Sequence, residues 1–184
     1  MMASKLFCLS VALMFGISCM AEPINQYEAV TLSHVTGCQS VGARVGHGTK
    51  NKIDFGLTYA YCFNTRMSLL VELDHETAQF GNTKFTNYIL VSPGIEHNLL
   101  NPAKCFYWHW GIGPAVGYDR WYSDYVNEEK RCFCYGAQLG TGVEFIPKNK
   151  ISFVLKAQQY VLFGSGDNYL KPNFSFAVRF NFHR

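Results

Sequence analysis

Apolar and polar residues alternate along most of the chain after residue 39, and a period of two is typical of β-strands. In one stretch Ile53, Phe55 and Leu57 share one face, while Asp54 and Thr58 share the other. The same alternation recurs in eight stretches. The predicted strands cover residues 41–45, 53–63, 67–74, 85–95, 106–118, 132–145, 151–161 and 173–184.

The length of these strands favours a membrane barrel. Ordinary strands have about five to six residues, whereas a tilted strand needs about nine to eleven residues to cross a bilayer. Most of the predicted strands reach that length. The connections support the same interpretation, because short turns alternate with longer polar loops in outer-membrane barrels. Short connections are predicted at 63–66 and 147–149, and long ones at 79–84, 119–131 and 164–171. A long connection at 98–104 departs from this order.

The predicted fold class is therefore all-β, an eight-stranded antiparallel up-and-down transmembrane β-barrel after an N-terminal signal peptide. The alternative is a soluble β-sandwich whose aromatic face would be its core. Charged residues make up 16% of the chain, below the roughly 25% of soluble domains. No internal run of about 18 apolar residues exists, so the sequence predicts no membrane-spanning helix.

Two prolines interrupt otherwise regular strands. Pro93 and Pro114 lack the backbone N–H that a sheet ladder needs, and proline in a sheet is confined to edges and bulges. A closed barrel has no edge. We therefore expect a bulge or local twist where these two strands meet.

The N-terminal segment predicts secretion. Lys5 precedes an apolar stretch from residue 6 to about residue 17, and small residues follow up to Ala21, which is the layout of a signal peptide. The expected organisation is a signal peptide at 1–21, a lead-in at 22–38 and a barrel at 39–184. Cys19 is a competing, lipoprotein-type processing site. The formal charge of +3 falls to +2 when Lys5 is removed, and nothing in the charge pattern indicates a nucleic-acid partner.

The face opposite the apolar one carries charges of both signs. In an eight-stranded barrel that face lines an interior just filled by side chains, and buried charges need partners. We therefore predict an interior charge network. Its members are Glu72, Asp74, Glu96, Glu144, Lys156 and Arg179.

No pattern predicts a catalytic, cofactor or metal site, and we expect a non-enzymatic protein. Five cysteines remain after residue 21, an odd number that excludes full intramolecular pairing. Cys132 and Cys134 form C-x-C, which is not a zinc-site spacing. His109 is interpreted as a polar interior residue. A lipid-modifying barrel enzyme using Ser92 and His109 is a third function to consider, but sequence alone does not place the two in contact.

Four short motifs stand out in the second half of the chain. They are Gly117-Tyr118-Asp119, Tyr135-Gly136-Ala137, Val143-Glu144-Phe145 and Leu162-Phe163-Gly164-Ser165. With these motifs the segment from about residue 94 onward resembles the TraO family of conjugative transposon proteins from the Bacteroides group. The resemblance covers about half of the chain, and the family usually has tryptophan where Phe163 stands. It implies a component of a conjugative DNA-transfer apparatus in the outer membrane, without known catalytic residues.

The closing strand resembles the signal that the barrel assembly machinery reads in outer-membrane proteins. Ser175, Ala177, Phe180 and Phe182 fit that pattern, with alanine where glycine is usual. Phenylalanines would face lipid, and Arg179 would point inward toward Glu144 or Glu72.

The residue pattern predicts a structural outer-membrane barrel, and the resemblance to the TraO family implies a place in a conjugation machine. Its partners would be outer-membrane lipid, the barrel assembly machinery and other conjugation proteins. A general small barrel for adhesion or envelope stability is the alternative, and gene neighbourhood would separate the two.

Overall fold

Eight antiparallel strands make up nearly all of the described part of the chain. The structure is a computed structural model that describes residues 34–48, 52–80, 83–103, 105–123, 128–148, 150–165 and 169–183. The strands are β1 (Cys38–Gly48), β2 (Ile53–Cys62), β3 (Met67–Phe80), β4 (Thr83–Ala103), β5 (Phe106–Ser123), β6 (Glu128–Lys148), β7 (Ile151–Phe163) and β8 (Leu170–His183). Among these residues no helix is long and apolar enough to cross a membrane.

The strands close into a barrel with up-and-down order. Each strand pairs with its neighbour in sequence, and β1 pairs with β8 to complete the ring. The closing register places Val41 opposite Phe180 and Arg44 opposite Ala177. The predicted fold class is confirmed. We call the end where β1 begins and β8 ends the periplasmic end, as in outer-membrane barrels, and the opposite end the extracellular end.

Apolar side chains cover the outside of the barrel. Twenty-five large hydrophobic side chains are exposed among the described residues, including Phe133 at 64% and Phe174 at 66%. Soluble monomers rarely expose contiguous apolar patches larger than a few hundred Å². An outside of this kind needs an apolar solvent, so the strands cross a lipid bilayer. Length agrees, because the strands contain between 10 and 21 residues.

Three predicted connections are wrong, because strand continues through them. Residues 79–84 contain the end of β3 and the start of β4, with only 81–82 between those strands. Most of 119–131 belongs to β5 and β6, whose ladder continues to the pair Ser123 and Glu128. Residues 98–103 belong to β4. Polar composition suggested loops at 79–84 and 119–131. A strand that has left the bilayer can carry polar side chains on both faces because both faces meet water, and its ladder still satisfies the backbone N–H and C=O groups.

The expected irregularity at the two prolines is confirmed. Val91 pairs with Ala115 and Ile95 with Ile112, so three residues of β4 face two residues of β5. Pro93 lies in the three-residue segment and Pro114 in the two-residue segment. The extra residue breaks the ladder where proline has no N–H to donate.

Candidate functional site

The six residues of the predicted charge network are buried inside the barrel. Four of them form a chain of ion pairs across the lumen. Arg179 on β8 lies 3.4 Å from Glu96 on β4, and Glu96 lies 3.2 Å from Lys156 on β7. Lys156 in turn lies 2.9 Å from Glu72 on β3. Arg179 forms its ion pair with Glu96, which reaches across from the opposite wall, while the expected partners Glu144 and Glu72 act on it electrostatically from farther away.

Arg44 is the hub of this network, and the sequence analysis missed it. Its guanidinium lies 2.8 Å from Asp54, 3.1 Å from Asp74 and 3.5 Å from Glu72. It also donates a hydrogen bond of 2.7 Å to the Gln158 side chain. Its alternation with outward Ala43 and Val45 on β1 was the available signal, since a charge between two lipid-facing residues must point inward.

Neutral side chains donate hydrogen bonds to two further oxygens of the network. The Gln158 amide donates a hydrogen bond of 2.7 Å to Glu72, and the Tyr160 hydroxyl donates one of 2.6 Å to Asp74. Tyr160 is 1% exposed and packs with Leu162, Cys134 and Ala115 into a small apolar cluster nearer the extracellular end. Buried carboxylates are costly without such donors, so these residues hold the network in one arrangement.

The sixth predicted residue, Glu144, lies apart from this chain near the periplasmic end. Its Oε2 lies 3.1 Å from His34 Nε2, and the Asn98 amide donates to His34 Nδ1 at 3.0 Å. A carboxylate only accepts hydrogen bonds and an amide nitrogen only donates, so His34 carries its proton on Nε2. The His34 ring also lies 4.1 Å from the Tyr107 ring, between centroids. His34 belongs to the predicted lead-in, and its side chain is buried inside this end of the barrel.

Two further ion pairs lie near the extracellular end, and neither was predicted. Lys52 lies 3.5 Å from Glu76, and Lys171 lies 3.2 Å from Asp119. The Ser165 hydroxyl donates to the second Asp119 oxygen. Asp119 has no solvent exposure. These acidic and basic residues fall in segments taken as loops or connections, which hid their inward direction.

Two inward glycines make room for the long side chains of the network. A Cβ on Gly42 would come within 2.8 Å of Arg179 Cγ and 2.5 Å of the Val178 carbonyl oxygen. A Cβ on Gly56 would come within 2.8 Å of Arg44 Cγ. These contacts are closer than non-bonded atoms tolerate, so glycine is required where the two arginine side chains lie against the inner face of the barrel.

His109, considered above for a lipid-modifying site, lies inside the lumen, whereas nothing is described of the Ser92 side chain. His109 is 1% exposed, and its Nε2 lies 3.6 Å from Glu96, which makes it a member of the buried network. No group of three histidine, cysteine or acidic residues is placed to hold a metal ion in the described ranges. The five cysteines after residue 21 are all described, and no disulfide joins them.

The residues of the proposed insertion signal alternate between the two faces of β8. Ser175 and Ala177 are buried and point inward, while Phe180 and Phe182 are exposed on the lipid-facing side. Their role in recognition by the assembly machinery stays a prediction. The proposed signal peptide and Cys19 lie outside the described residues.

Comparison with known proteins identifies the fold. No protein-family model matches the chain, and no curated protein matches it. Solved structures do match. Ail, the attachment invasion locus protein of Yersinia pestis, is 15% identical with a TM-score of 0.58, covering 80% of this chain and 100% of Ail.

Two other small barrels give the same result. The N-terminal β-barrel domain of Pseudomonas aeruginosa OprF is 12% identical with a TM-score of 0.61, covering 80% of this chain and 98% of that domain. Neisserial surface protein A is 12% identical with a TM-score of 0.56, covering 79% of this chain and 96% of that protein's chain. At such identities the likeness establishes the eight-stranded barrel fold alone.

Proposed function

We propose that this chain is a non-enzymatic outer-membrane β-barrel that conducts nothing and works through its extracellular surface and protein contacts. The observation that carries the proposal is the chain of ion pairs from Arg179 through Glu96, Lys156 and Glu72 to Arg44. This chain of ion pairs joins four strands, β8, β4, β7 and β3, to β1. An eight-stranded barrel has an interior only wide enough for side chains, so a network this dense leaves no open channel.

The extracellular end offers a surface for such contacts. β7 ends at Phe163, which pairs with Tyr135, whereas β6 begins at Glu128. Residues 128–134 therefore extend past the top of β7 and pair with β5. The hairpin of β5 and β6 therefore stands above β7 as a hydrogen-bonded wall, and β4 continues this wall up to Thr83. A surface held by a backbone ladder keeps its conformation without a partner, which lowers the entropy cost of binding.

The experiment is fractionation of cells producing the full chain, followed by reconstitution of the purified protein in vesicles. We expect outer-membrane recovery, a heat-dependent change of gel mobility and no entry of small sugars in a vesicle-swelling assay. A general porin in the same vesicles is the positive control. Recovery as a soluble periplasmic monomer would overturn the membrane placement, and swelling at the porin's rate would overturn the filled lumen.

Within this role we propose that the protein belongs to a conjugative DNA-transfer apparatus, as its resemblance to the TraO family implies. Three of the four shared motifs meet at one corner. Tyr135 pairs with Phe163, and Gly117 pairs with Cys134 beside it. Ser165 of the last motif donates to Asp119 of the first. The shared residues would thus be architectural and would hold the base of the tall β5–β6 hairpin.

Gene deletion in a donor cell tests the conjugation role. We expect transfer of the mobile element to fall and to recover when the wild-type gene is supplied. Transfer genes beside this gene would agree. The name of Ail refers to attachment, so the similarity in fold favours adhesion as the alternative function. Unchanged transfer combined with reduced adhesion would reject conjugation in favour of that alternative.

A further inference from the structure

A basic cluster lies on the outer face of the barrel just above its apolar belt. We call Lys84, Arg120, Glu129 and Arg131 the outer basic cluster. Arg120 pairs directly with Arg131 across β5 and β6, Glu129 pairs with Tyr122, and Lys84 pairs with Tyr122 from the other side. Directly paired residues share a face of a sheet. The face is the lipid-facing one, since it continues the alternation of exposed Val116 and Tyr118.

The cluster has more positive charge than it can neutralise itself. Arg120 Nε lies 2.5 Å from Glu129 Oε1, and Arg131 Nε lies 2.6 Å from the same oxygen. Three cations and one carboxylate leave a net formal charge of +2. Like charges directly opposite each other on two strands are destabilising. A single shared oxygen offsets that repulsion in part, and hydrogen bonds from Arg131 and Arg120 lower the pKa of Glu129.

The cluster lies at the height of the lipid headgroups. The next outward residues toward the periplasmic end are Tyr118 and Phe133, which are 40% and 64% exposed. Two residues along a strand correspond to about 7 Å, so the guanidiniums lie directly above the belt. Lipid headgroups occupy that layer of a membrane. The arginine side chains are 54% and 60% exposed, and guanidinium groups bind phosphate oxygens in a bidentate manner.

We propose that the outer basic cluster binds a phosphate group of a phosphorylated glycolipid in the outer leaflet, with Arg120 and Arg131 as the main ligands. Lys84 adds charge beside them. Glu129 holds the two guanidiniums together when no lipid is bound and competes with the phosphate. The inference rests on the proposed outer-membrane placement, but it is tested in vesicles, where that placement plays no part.

The test measures binding of diphosphorylated lipid A by the refolded full chain in phosphatidylcholine vesicles. The double variant Arg120→Gln, Arg131→Gln should bind at least about tenfold more weakly, equivalent to about 1.4 kcal/mol. Arg66→Gln is the matched control, because Arg66 is an exposed arginine at the periplasmic end, and it should bind as the wild type does. Glu129→Gln removes the competing carboxylate and should bind more tightly.

Each other outcome overturns the inference. Wild-type affinity in the double variant would show that the arginines are not ligands. Equal binding of dephosphorylated lipid A would remove phosphate as the recognised group, and full competition by inorganic phosphate would indicate a free-anion site. Folding is checked by heat-dependent gel mobility. If the double variant does not fold, Glu129→Gln decides alone, and unchanged or weaker binding refutes the proposal.

Discussion

Replacing Arg44 by methionine should destabilise the barrel more than any change on its surface. The side chain of Arg44 is 1% exposed and lies 2.8 Å from Asp54 and 3.1 Å from Asp74. Methionine replaces the unbranched stem of arginine but has no charge or hydrogen-bond donor. Removing one partner of a buried ion pair leaves the other charge uncompensated and costs about 3–5 kcal/mol. Because Arg44 serves two aspartates and Glu72, we expect a loss in that range.

The assay is urea unfolding of the protein folded in vesicles, followed by tryptophan fluorescence and by heat-dependent gel mobility. Arg66→Met is the control, since an exposed arginine in a turn should change the free energy of unfolding by less than about 0.5 kcal/mol. Adding Asp54→Asn to Arg44→Met should recover part of the loss, because contacting residues show coupling energies of about 0.5–3 kcal/mol.

A loss below about 1 kcal/mol for Arg44→Met would refute the reasoning. That value is typical of an exposed ion pair, and it would mean that water reaches the guanidinium and replaces its partners. Additive effects of the two substitutions would refute the direct pairing of Arg44 with Asp54.

Three further predictions concern other parts of the barrel. Deleting residues 180–184 should block membrane assembly, and normal insertion of the truncated protein would mean that the tail is an ordinary strand. The Arg179→Ala variant should assemble but unfold at a lower urea concentration. Gly42→Ala should lower the free energy of unfolding by about 1–3 kcal/mol through overpacking. The control Ala43→Val, on the lipid-facing side, should change it little, and equal urea midpoints for the two variants would mean that a methyl group fits at Gly42. His34→Ala should cost about 1–3 kcal/mol, because it removes a hydrogen-bond partner of the buried Glu144 carboxylate; an unchanged urea midpoint would mean that this contact adds no stability.

The period-two pattern was enough to predict the barrel, because a membrane imposes the same apolar face on every strand. It placed Glu72 and Lys156 inside, and it located the irregularity at Pro93 and Pro114. It could not assign partners. Alternation gives the face of a side chain but not which residue it meets across the lumen, so Arg179 was expected beside Glu144 or Glu72 and lies 3.4 Å from Glu96.

The pattern also fails where the strands leave the bilayer. From Asp119 onward the outward positions of β5 become polar, so the contrast between faces disappears while the backbone ladder continues to Ser123. Polarity there was taken for a loop. The cluster of Arg120 and Arg131 was hidden for the same reason, since only the register brings those two residues together.

Single-channel recording on the refolded full chain tests most directly whether the lumen is filled. Insertion of the same sample is verified by its heat-dependent gel mobility. The ion-pair network between Arg44 and Arg179 predicts a flat current with no stable conductance steps across the applied voltages. Large, steady steps from the inserted wild-type protein would contradict the filled barrel and the non-conducting role.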